Sequence, residues 1–147
     1  MRGRVKSATD SVETPSYILD YVRTTWGEFY DPCPLVQGWD AKLHSDGLVG
    51  DWDEGTCFVN PPFSKTKAFF IKAHEQWKKG RTVVLLVKGT IIKSRYFQQY
   101  AKGAELNFLK GKVTFPGYTM GAWFPVMLVV FYAGRESNEF KCITISK

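Results

Sequence analysis

Cysteine is scarce and scattered: Cys33, Cys57 and Cys142 are the only three in 147 residues. Their wide spacing excludes a metal-ligand cluster of the zinc-finger kind. Their odd number speaks against a disulfide scaffold and for reduced thiols in a reducing, intracellular compartment. His44 reads as a surface residue rather than a ligand, and no metal is implied. Apolar runs are short, and none spans a bilayer. The basic N-terminus lacks the apolar core of a signal peptide. Internal repeats and low-complexity tracts are absent. Acidic residues are the minority, 14 against 20 Lys and Arg, for a net charge of +6 and a pI near 9.2. That balance suits a polyanionic partner and equally a soluble basic domain. Hydrophobic residues make up 44% and aromatics 16%, enough for one core. Residues 1–12 are polar and basic and read as a flexible start; 13–147 read as a single domain.

The most informative stretch is Asn60-Pro61-Pro62-Phe63. It follows the apolar run Cys57-Phe58-Val59 and precedes Ser64, a good helix cap. Two prolines extend neither a ladder nor a helix, so they hold a rigid corner at a strand end. In open α/β sheets ligands bind beyond the carboxyl ends of the strands. Such a corner presents the Asn60 side-chain oxygen and the Pro61 carbonyl, both acceptors. Two acceptors on one aromatic NH2 group localise its lone pair, which a nucleophilic amine requires. Phe63 offers a face for a planar base, worth about 1–3 kcal/mol. A bare Pro-Pro pair is more often a plain turn; the flanking Asn, aromatic and strand favour function here.

These residues resemble the catalytic motif of amino-methyltransferases that use S-adenosylmethionine. The wider chain is similar to the small phage-type Dam family of DNA N6-adenine methyltransferases. The likeness spans about Glu13 to Tyr132. It rests on Thr14-Pro15, Tyr30-Asp31-Pro32-Cys33, Asp46-Gly47-Leu48 with Asp51-Trp52, the Phe58 to Phe63 segment, Ala104 to Lys112, and Phe124 to Phe131. The resemblance implies a compact Rossmann-like α/β domain, with a mostly parallel central sheet and helices on both faces. It implies S-adenosylmethionine as cofactor and duplex DNA with a flipped adenine as partner, the protein being a monomer or a homodimer. Asn60, Pro61, Pro62 and Phe63 become the catalytic set. Asp31 is expected at the cofactor's amino group, with Pro32 and Cys33 in the same turn and Thr14 and Pro15 on a helix beside it. Asp51 and Trp52 are expected at the cofactor's adenine. Asp46 either reaches the ribose or caps a turn. Two departures stand out. The glycine-rich turn after the first strand is missing, with only Gly38 nearby, and the segment from Leu35 to Val49 is too short for a full strand-helix-strand unit. The Pro32-Cys33 pair invites comparison with cytosine carbon methyltransferases, but the Asn60 chemistry needs no thiolate. Competing readings are an RNA or protein amino-methyltransferase, and a non-catalytic nucleic-acid-binding module with the same fold.

Elsewhere the patterns are local. Thr14 reads as a helix cap with Pro15 at the first position, leading Ile18, Val22 and Trp26 along one face. Glu28 to Tyr30 reads as a short strand. Ser64 to Gly80 is a helix burying Phe69, Phe70, Ala73 and Trp77. Thr82 to Val87 is a buried strand, and Lys93 to Tyr100 a short helix. Leu106 to Leu109 and Val113 to Phe115 flank a turn, Val126 to Tyr132 is a second buried strand, and Phe140 to Ile145 an edge strand. Lys65, Lys67, Lys88, Lys93, Arg95, Lys110 and Lys112 are candidate phosphate contacts or solvated surface. Pro116 to Ala122 forms a lip expected to touch the target strand.

Overall fold

A computed structural model describes residues 11–34, 47–118 and 120–147. Asp46, Gly38, His44 and the first ten residues lie outside them. Five strands form one sheet in the order β1-β2-β4-β3-β5. They are β1 (Thr56–Val59), β2 (Thr82–Lys88), β3 (Glu105–Leu109), β4 (Val126–Phe131) and β5 (Phe140–Ile143). The helices are α1 (Ser16–Trp26), α2 (Thr66–Lys78) and α3 (Arg95–Tyr100), with 3-10 turns at Phe63–Lys65 and Gly89–Lys93.

Strands β2 and β4 are central and read as unbroken apolar runs because both faces are covered. On one face, Ile18 and Val22 of α1 pack on Phe58, Val84, Leu86, Leu128 and Val130. On the other, Phe69, Phe70, Ala73 and Trp77 of α2 and Phe97 of α3 pack on Val59, Leu85, Met127 and Phe131. Helices on both faces are therefore observed, with the expected buried residues of α1 and α2.

The sheet is mixed. β1–β2 and β3–β5 pair parallel, whereas β2–β4 and β3–β4 pair antiparallel. Four of the five strands therefore run the same way, and β4 alone is reversed. Tyr30 adds a parallel bridge to Cys57. The expected strand at Glu28 to Tyr30 shrinks to this single bridge, through Tyr30 N–H to the Thr56 carbonyl and Phe58 N–H to the Tyr30 carbonyl. Val113 to Phe115 is a loop, not a strand. β5 is the predicted edge strand, ending at Ile143. No helix among the described residues is long and apolar enough to cross a membrane.

Candidate active site

The Tyr30 bridge, β1 and β2 run parallel, so Asp31, Asn60 and Lys88 emerge along one edge of the sheet. β4 enters from that edge, and the Gly89 N–H donates to the Pro125 carbonyl at 2.7 Å. Gly89 has no room for a side chain, since a Cβ would lie 3.0 Å from the Pro125 ring. This close approach folds the 123–125 segment over the end of β2.

Asn60 is half-buried at the end of β1. Its Nδ2 donates to the Val12 carbonyl at 2.9 Å and to the Thr14 hydroxyl at 3.0 Å. Both amide hydrogens are thereby used, and the Oδ1 atom accepts from no described residue. The Pro61 carbonyl likewise receives no donor among the described residues. Pro62 takes φ −55° and ψ 143°, the extended conformation of a rigid corner. Its carbonyl is taken by the Lys65 N–H at 2.9 Å. So Asn60 Oδ1 and the Pro61 carbonyl are left as the open acceptors.

Thr14 does not cap α1. The helix starts at Ser16 after Pro15, with no side-chain cap. Packing of the Asn60 corner against the segment before α1 redirects the Thr14 hydroxyl. Ser64 falls inside the 3-10 turn, and α2 begins only at Thr66.

Two cavities meet at this corner. One, of about 330 Å³, is lined by Val12, Glu13, Thr14, Leu19, Asp31, Cys33 and Asn60. The other, of about 490 Å³, is lined by Val12, Phe63, Lys88, Tyr118, Trp123 and Phe124 among others. A small recess holding Asn60, Pro61, Phe63 and Lys88 joins the second. Asp31 Oδ1 accepts from the Cys33 N–H at 2.8 Å, which sets the turn. Burial raises the Asp31 pKa above the usual carboxylate value, and that backbone hydrogen bond opposes the rise. Pro32 is buried beneath the turn. Gly47 closes over it, because a Cβ there would sit 2.1 Å from the Pro32 carbonyl oxygen.

The structure does not bring Asp51 and Trp52 to either cavity. Trp52 is 2% exposed, inside the core, and donates its Nε1–H to the Gly47 carbonyl at 2.7 Å. An enclosed indole has no free face for an adenine. Asp51 accepts from Lys79 at 2.7 Å and Gln76 at 3.1 Å. Those hydrogen bonds bring its pKa down to about 2. Buried Gln76 also accepts from the Trp52 N–H at 3.0 Å, so the trio latches the chain to α2. Sequence reasoning missed Val12, Glu13 and Leu19 in the first cavity, and Trp123 and Phe124 in the second. No local pattern marks them; the aromatic pair Trp123-Phe124 beside Pro125 was the one available signal.

All seven candidate cations end or follow strands that end at this edge: Lys65 and Lys67 after β1, Lys88 as the last residue of β2 with Lys93 and Arg95 after it, Lys110 and Lys112 after β3. Six are exposed; Lys88 is half-buried.

The model of the DNA N-6-adenine-methyltransferase (Dam) family matches residues 3–123. The chain belongs to that family. The match covers α1, the Asp31 turn, the Asn60 corner and the aromatic lip as far as Trp123. No curated protein matches the chain significantly. Among solved structures, the chain is similar to a Listeria monocytogenes protein described as a class I S-adenosylmethionine-dependent methyltransferase. The two are 13% identical with a TM-score of 0.46, over 71% of this chain and 41% of the Listeria chain. This chain therefore spans less than half the length of that protein.

Proposed function

We propose that the chain transfers a methyl group from S-adenosylmethionine to the N6 amine of an adenine in DNA. The observation that carries this reading is the Asn60 amide: its nitrogen is clamped by Val12 and Thr14, which leaves its oxygen as the open acceptor in a recess that Pro61 also lines.

The first cavity fits the cofactor by its chemistry. Its volume lies within the range of small-molecule sites. Asp31 and Glu13 line it, and both suit a ligand that carries an ammonium and a sulfonium. Thr14 and Cys33 line the same wall. When bound, S-adenosylmethionine supplies a methyl group already activated by its positive sulfur. The second cavity suits the target base. An adenine there leaves the duplex stack, because pairing engages its amine. Asn60 Oδ1 and the Pro61 carbonyl accept from its NH2 and draw the nitrogen toward tetrahedral geometry. Phe63 and Phe124 supply the aromatic wall. Asp31, Glu13, Thr14 and Cys33 would hold S-adenosylmethionine so that its electrophilic methyl group is supplied to the nitrogen lone pair that Asn60 and Pro61 localise. The methylated nitrogen would then lose one of its two original protons to water. Positioning and electrostatics provide the rate enhancement.

The exposed cations at the same edge are suited to the phosphates that flank the target. The test is labelled methyl transfer to pools of DNA, RNA and protein, with modification mapping of the DNA. Adenine N6 labelling in DNA alone is expected. Label in RNA or protein would replace the substrate, and no transfer together with no cofactor binding would leave a non-catalytic module.

A further inference from the structure

Lys88 differs from the other six cations at this edge. It is half-buried, and it lines both the recess beside Asn60 and the aromatic cavity. Its ammonium lies 4.1 Å from the centroid of Phe63 and 4.6 Å from that of Phe124. The two rings meet edge to face at 5.9 Å. Among the described residues no carboxylate pairs with it. Ring faces alone thus hold a cation in a site short of counter-charge.

Phe63 is also the ring on which an incoming base stacks, so ammonium and base compete for the same surface. The ammonium yields at little cost only if another anion receives it. A free nucleoside brings none, whereas a nucleotide within a strand brings its own phosphate. The backbone of Lys88 is held in register opposite Val126, but its flexible four-carbon stem leaves the head free to swing.

We propose that Lys88 is a specificity-determining residue that occupies the aromatic slot until a strand phosphate draws its ammonium away. The slot therefore admits a base carried on a polyanionic strand in preference to a free nucleoside. This deepens the reading given under Proposed function and rests on it for the identity of the base.

The test is calorimetry with adenosine and with a short single-stranded adenine-containing oligonucleotide. It compares the unaltered protein with Lys88→Ala, Lys88→Gln and Lys88→Arg. In the neutral variants adenosine should bind about fivefold tighter, the order of a cation–π contact. The oligonucleotide should bind less tightly, and the slope of log affinity against log salt should shrink by about 0.7. Lys88→Arg should retain both the preference and the slope. Lys88→Gln keeps most of the stem and gives the same reading if Lys88→Ala fails to fold. An unchanged ratio of the two affinities, or no adenosine binding to any form, overturns the proposal. Methyl transfer by the unaltered protein is scored separately. Its absence counts against the methyltransferase reading, while the binding ratio still decides the role of Lys88.

Discussion

On one side of Asn60 the cavity wall is carboxylate, Glu13 and Asp31; on the other it is aromatic, with a single ammonium. Val12 borders both. The first wall suits a compact cation and the second a flat base on an anionic strand. The contrast teaches that one neutral amide can stand between two chemically opposite walls. Asn60 lines the first chamber and the recess that joins the second, with its amide nitrogen tied to Val12 and Thr14.

The hardest blow to this arrangement is Asn60→Ala. It removes an acceptor and the clamp on Val12 and Thr14 together. Methyl transfer should fall by about 10²–10³-fold in kcat, the scale of losing one preorganised hydrogen-bonding group. Because the clamp borders the cofactor cavity, a smaller loss of cofactor affinity should accompany it. Single-turnover kinetics and calorimetry separate the two; a variant that keeps its kcat would remove Asn60 from the chemistry.

Asp31→Asn should act on one chamber only. It preserves the acceptor for the Cys33 N–H and deletes the charge. Cofactor affinity should drop about tenfold or more, the worth of a charged hydrogen bond, with DNA affinity unchanged. A parallel fall in both would erase the distinction between the cavities. The same residue predicts a pH effect. Its folded pKa is raised, chiefly by burial, so it protonates at a higher pH than an exposed aspartate. Cofactor affinity should therefore begin to fall, as pH is lowered, before ordinary carboxylates titrate. Protonation also relieves the cost of a buried charge, so this group favours folding as pH falls through its raised pKa. Asp51 has the opposite sign. Its contribution is fully present above the unfolded value of 3.8 and is lost as pH falls through about 2.

Thr14→Val sharpens the picture with a subtler change. It keeps the shape and removes one of the two acceptors for the Asn60 nitrogen. A loss of about fivefold in kcat/KM is expected, the size of one net hydrogen bond. Helix content by circular dichroism should stay constant, because Thr14 caps nothing. The smallest effect belongs to Asp51→Asn. Cofactor affinity should stay within about twofold, since Lys79 and Gln76 occupy this carboxylate away from both cavities. A large loss would return Asp51 to the cofactor site.

Much of this was legible along the chain. Family membership followed the ordered motifs, and the family model bears it out. α2, β2 and β4 declared themselves through unbroken or periodic apolar residues, which report burial directly. The Asn60 corner was readable because proline geometry is intrinsic to the residue. Three readings needed more. Thr14 obeyed a local capping rule, yet its hydroxyl went to a residue 46 positions away. Trp52 followed a motif but was enclosed by α2. The Tyr30 strand was nearly lost, because one bridge at an edge is all that pairs there.

By itself, the order of residues determined which groups are candidates for the chemistry: an amide and a carbonyl on a double-proline corner, a carboxylate after a strand end, and an excess of cations. It also determined which segments are buried, because burial leaves a periodic mark. Tertiary structure alone decided which way the Asn60 amide points, which carboxylate shares its cavity, and that Lys88 rests on two rings. Those outcomes depend on contacts between residues far apart in the chain, and no local spacing encodes them.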